Sequence, residues 1–142
     1  MKKLILGVSL VLAASTATAR DDIGRYSVEE LLSTAKAEQA LDPNIKLFFG
    51  KQKAGEVKST YGEVQTNKKT NAFNKSDKEA CQWVMLSALK SLQERARREG
   101  MNAVMNISSY YKKREFVSET EFECGAGFVM AGVTLKGDLV KL

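Results

Sequence analysis

Two cysteines, three alternating glutamates and one aromatic–basic run are the residues of this 142-residue chain whose types and spacing could do chemistry. Cys81 and Cys124 are an even pair. In an oxidising compartment such a pair reads first as a disulfide. No Cys-x-x-Cys spacing lowers a thiol pKa for redox work, and two buried free thiols acting as small apolar residues are the alternative. Glu119, Glu121 and Glu123 alternate, so a strand would set them on one face. There they could attract a hard cation or pair with Lys112, Lys113 and Arg114 across a hairpin. Tyr110 and Tyr111 run directly into those basic residues. Aromatic plus basic side chains can stack a base or grip an anionic lipid head or glycan; a half-buried strand end before a charged turn has the same composition. These eight residues form the candidate binding surface.

Other chemistries lack parts. With no histidine and no Gly-x-Ser-x-Gly turn, the serines have no usual base. Gly50-Lys51-Gln52-Lys53-Ala54-Gly55 begins like a phosphate-binding loop, but Glu56 and Val57 stand where lysine and serine or threonine are needed. A soft-metal site has no histidine and only the two cysteines to draw on. No catalytic residue, metal site or cofactor is therefore assigned.

The elements that must position these residues follow from local patterns. Met1-Lys2-Lys3, the apolar run Leu4 to Ala14 and Ala17-Thr18-Ala19 form a secretory signal, with Arg20 as the first mature residue. Removing it takes the net charge from +5 to +3. The apolar run is too short to span a bilayer, and neither cysteine is placed for lipid attachment. Residues 20–142 have the length of one domain. Residues 20–25 are polar and read as loose. Ser27-x-x-Glu30 and Ser76-x-x-Glu79 are capping boxes. The first opens a short helix ending by Leu41, ahead of Pro43. The second opens a long helix whose apolar stripe, Cys81, Val84, Met85, Ala88, Leu89, Leu92 and Ala96, has a 3.6-residue period. Arginines 95, 97 and 98 and then Gly100 close it. Strands are expected at Ile45–Phe49, Val57–Thr66, Ala103–Tyr111 and, as one long strand, Glu121–Leu135; Asn67–Lys75 reads as a loop, with Trp83 packed under Phe73. Cys81 on the helix stripe and Cys124 on the apolar face of the last strand meet if that helix lies on that face. The order helix, strand, strand, helix, strand, strand predicts an α+β fold. A small antiparallel or mixed sheet of about four strands carries a long helix over about 76–99 on one face, with a shorter N-terminal helix.

The segment Ala88–Leu92 through Gly100-Met101-Asn102-Ala103-Val104, followed by Gly125-Ala126-Gly127, resembles the YbjQ-like and RcsF-like α/β domains, departing from their junction at Met101. The stretch Thr66–Phe73, Lys75-Ser76-Asp77 and the helix cysteine resemble a group of small exported proteobacterial proteins often labelled excinuclease ATPase subunit. The ATPase label lacks its phosphate loop here. The resemblance implies the fold and a helix-to-strand disulfide, and carries over no catalytic residue. RcsF-like domains are envelope stress sensors with four cysteines and a lipid anchor, and YbjQ-like proteins carry a heavy-metal label whose ligand set is missing here. The expectation is a periplasmic or secreted, non-enzymatic envelope protein binding a protein partner or envelope component. It would have no nucleic-acid partner and no stable membrane anchor, and oligomerisation stays open. A small-molecule or cation binder is the alternative.

Overall fold

A computed structural model describes residues 20–142; the expected signal, residues 1–19, lies outside them. The chain runs β1 (Asp22–Ser27), α1 (Val28–Leu32), α2 (Ala35–Ala40), β2 (Lys46–Phe49), β3 (Ser59–Asn71), α3 (Asp77–Arg98), β4 (Ala103–Ser109), β5 (Glu121–Ala126) and β6 (Met130–Lys141). It is the expected α+β architecture: one mixed, curled sheet of six strands with a single long helix on its inner face. Strand β6 is the spine. β3 pairs antiparallel along one edge, from Ser59 opposite Lys141 to Asn71 opposite Met130. Its other edge is shared, β5 taking Ala131 and Gly132 and β4 taking Leu135 to Val140. β1 then extends β5 antiparallel, and β2 extends β4 in parallel.

Both helix starts are set by the predicted serines. Ser27 Oγ accepts the Glu30 N–H and Ser76 Oγ the Glu79 N–H, each at 3.1 Å. The α3 stripe is buried along its length, and Gly100, at φ +72°, turns the chain out of the helix. Cys81, in the first turns of α3, is bonded to Cys124 on the inner face of β5, with Cα atoms 5.8 Å apart. Phe122, Cys124 and Ala126 of β5 and Ala131, Val133, Leu135 and Leu139 of β6 line that same core. Among the described residues no helix is long and apolar enough to cross a membrane.

Five readings change. Residues expected to be loose form β1, because the edge of β5 offers them a full antiparallel ladder. The first helix is broken in two: Ser33 Oγ bonds back to the Glu29 carbonyl and Thr34 caps a new helix by accepting the Ala37 N–H. The second strand continues through the polar Asn67–Asn71, whose pairing with β6 overrides weak strand propensity. The single long strand Glu121–Leu135 is a hairpin folded at Gly127–Val129, which exchanges the inward parity from even residues in β5 to odd residues in β6. Trp83 is half exposed and faces α2, where the Lys36 ammonium sits 4.5 Å over its ring, so it does not lie under Phe73.

One polar residue inside the core stands out. Gln93 on α3 is buried, and its amide holds the α2–β2 loop: Oε1 accepts the Asp42 N–H at 2.9 Å, while Nε2 donates to the carbonyls of Asp42 and Ile45 at 3.0 and 2.8 Å. Arg97 of α3 pairs with the Asp42 carboxylate from outside.

Candidate functional site

The outer face of the sheet carries the first part of the site. After β4 the chain crosses over that face, and Tyr111–Lys113 form a single tight turn with Lys112 and Lys113 at positive φ. Tyr111 is laid on a floor of two glycines, Gly125 and Gly132, which sit directly opposite one another in the β5–β6 ladder. A Cβ on Gly125 would collide with the tyrosine hydroxyl, and one on Gly132 would sit 3.3 Å from its ring. Close packing by another element is what glycines in a strand signal. The Tyr111 hydroxyl donates to Asp21 at 3.1 Å, and Lys112 forms an ion pair with the same carboxylate. The Lys112 hydrogen bond holds the Asp21 carboxyl below its ordinary pKa. Burial, with Asp21 second, pushes the Tyr111 phenol up. Tyr110 lies under the Lys136 ammonium, 4.1 Å from its ring centre. Both tyrosines are thus engaged within the fold, while Lys113 and Arg114 remain in solvent.

The three glutamates are not gathered. Glu119 lies in the loop before β5, Glu121 is exposed at its first position opposite Ser27, and Glu123 is buried opposite Arg25. The residues facing them belong to β1; the hairpin partner expected of Lys112 is replaced by Asp21. Glu123 Oε1 is 3.6 Å from the Arg25 guanidinium, which also lies 4.1 Å over the Phe116 ring, and Oε2 has no hydrogen-bond partner among the described residues. No group of three His, Cys, Asp or Glu side chains converges among the described residues.

The second part of the site carries no residue of catalytic or charged type at its tip. At one end of the sheet the β5–β6 turn exposes Phe128, Val129 and Met130, at 70%, 59% and 48% of their surfaces. The β3–α3 loop adds Phe73, 63% exposed. The two segments are tied together, because the Ala72 N–H donates to the Val129 carbonyl at 2.6 Å and Asn71 pairs with Met130. Arg20 braces the end from the chain's first described residue. Its backbone carbonyl closes on Gly127, where a side chain would meet it at 2.7 Å, and its guanidinium lies 5.0 Å over Phe128. The same guanidinium bonds Asp22 at 2.7 Å and pairs with Asp77 at the start of α3. Between this end and Tyr111 runs an open groove of about 420 Å³, with glycines on its floor, Tyr111 and Phe128 as apolar walls, and Lys69 and Arg20 at its rim. A smaller hollow of about 290 Å³ between α2 and α3 is occupied at its aromatic wall by Lys36 over Trp83.

Sequence reasoning reached Tyr111 and Lys112 but not Phe128, Val129 and Met130, which it placed in mid-strand. The available signal was an apolar triplet beside Gly127 in a strand already rich in glycine. Compared with family models, with curated proteins and with solved structures, the chain matches none.

Proposed function

We propose that this is an exported, non-enzymatic envelope protein that binds another envelope component through the apolar end of its sheet. The observation that carries the reading is the cluster Phe73, Phe128, Val129 and Met130. These four large apolar side chains, from two hydrogen-bonded segments, are held in solvent on a frame cross-linked by a buried disulfide. Single exposed apolar residues are ordinary, whereas a contiguous group on a braced turn marks an interaction surface. Export is supported by the leading segment and by the Cys81–Cys124 bond, which persists in oxidising compartments. The absence of histidine supports a binding role over acid–base catalysis.

The test places a photo-crosslinking side chain at Phe128 and exposes the protein to envelope extract, with the same crosslinker in a Phe73→Ser/Val129→Ser/Met130→Ser background as the control. The reading expects one or a few discrete adducts and their loss in the triple variant, whose thermal melt stays near the parent's because these side chains are exposed. Equal capture by the folded triple variant would refute it. The groove between Tyr111 and Phe128 supports a second reading, a small apolar molecule seated on the glycine floor between those two rings. A ligand that binds only the native state raises the melting temperature, so a small-molecule thermal-shift screen separates the two.

A further inference from the structure

We infer that the free edge of β3 is a self-complementary interface, on which a second copy of this chain pairs antiparallel about Thr66. β3 spans 13 residues, Ser59–Asn71, and among the described residues it hydrogen-bonds along β6 alone. Its opposite edge therefore presents a long row of unpaired backbone N–H and C=O groups, which is a template for another strand. The bulge between Thr60 and Gly62, with Gly62 at φ +133°, ends the regular segment on one side, and the turn after Asn71 ends it on the other.

The side chains choose the occupant. Exposed on the outer face are Glu63, Gln65, Asn67 and Lys69. A two-fold axis perpendicular to the sheet keeps directly opposite residues on the same face. Centred on Thr66, it sets Glu63 of each copy opposite Lys69 of the other and Gln65 opposite Asn67. Moving the centre by one residue to Gln65 or Asn67 leaves both charges facing neutral side chains, so this register is the one the charges select. Neither Glu63 nor Lys69 has an ion-pair partner among the described residues. On the inner face the axis lays Thr66 beside its counterpart, and the two α3 helices lie in one layer over a continuous sheet of both copies. Pairing one strand edge buries less than a standard interface, so the dimer is concentration-dependent.

The test is sedimentation velocity of the purified protein across a concentration series, with Glu63→Lys, Lys69→Glu and the double swap. The expected result is a dimer whose fraction grows with concentration. Each single variant should weaken it by about tenfold in Kd, since every dimer then holds two like-charged pairs directly opposite. The double swap should restore the parent's value. Thermal melts of all variants stay close to the parent's, because both side chains are exposed. A protein that remains monomeric throughout, or a dimer indifferent to the single charge reversals, overturns the proposal.

Discussion

Removing the link between Cys81 and Cys124 tests the frame on which every surface described above depends. The two residues are 43 positions apart, so the bond closes a loop that takes in α3 from Cys81 onward, β4 and the outer-face crossing. The chain-entropy model assigns a loop of that length about 4 kcal/mol of stabilisation, acting through the unfolded ensemble. Against a total of roughly 5–15 kcal/mol for a domain, that is a large share, and it corresponds to a fall of roughly 10–20 °C in melting temperature. Both half-cystines are fully buried, so Cys81→Ala/Cys124→Ala also removes sulfur contacts. Reduction of the parent keeps the sulfurs and removes only the link. Urea titrations of the oxidised parent, the reduced parent and the double-alanine variant separate the two effects. The reduced protein should lose about 4 kcal/mol, and its m-value should rise because the released chain exposes more surface on unfolding. The alanine variant should lose the same amount plus a small packing increment. A loss below about 1 kcal/mol on reduction, with an unchanged m-value, would refute this account of what holds the frame.

Three further perturbations probe the parts that position the site. Gly125→Ala should cost about 1–3 kcal/mol by driving the Tyr111 ring off its floor. The cost should fall sharply in a Tyr111→Ser background, so a double-mutant cycle in urea reads the contact directly. Gln93→Ala strips the α2–β2 loop of a buried donor and acceptor, and should destabilise by about 2–3 kcal/mol in the same assay, with faster amide exchange at Asp42. Asp21 and Asp42 both have depressed carboxyl pKa values, held down first by Lys112 and by Arg97 respectively. Their contribution is present above the ordinary carboxylate range of about pH 4 and is lost as pH falls through the depressed values. A pH series of melts should therefore show an acid limb that Asp21→Asn/Asp42→Asn flattens.

How much of this was legible depends on whether the signal was local. α3 was readable end to end, because its cap at Ser76, its apolar stripe and its Gly100 exit all act within the helix. The disulfide followed once that stripe and the face of β5 carrying Cys124 were identified. The β5–β6 turn was not readable, because Gly127-Phe128-Val129 lacks the polar residues that mark turns. Its bend is made by a Gly127 N–H to Met130 carbonyl bond of 2.8 Å and by the close approach of Arg20. β1 and the polar half of β3 owe their strand conformation to partners distant in sequence, β5 and β6, a source no local window contains. The site was half legible for the same reason. Tyr111 and Lys112 are conspicuous by type, but their acceptor Asp21 lies some ninety residues earlier.

The two proposals constrain each other geometrically. The apolar end sits at the C-terminal end of β3, where Asn71 meets Met130. Antiparallel pairing about Thr66 places the two copies of Asn71 five residues to either side of the axis. At about 3.4 Å per residue they are about 34 Å apart and point away from one another. A dimer built this way cannot lay both apolar ends on one flat surface. It can join two partners, or two parts of one extended partner, and each end then gains from the other through effective concentration. A charge reversal at Glu63 would therefore weaken capture of a bivalent partner by Phe128 without touching the apolar end, while leaving binding of a small molecule in the Tyr111 groove unaltered. The two readings of the site thus separate at a residue that belongs to neither.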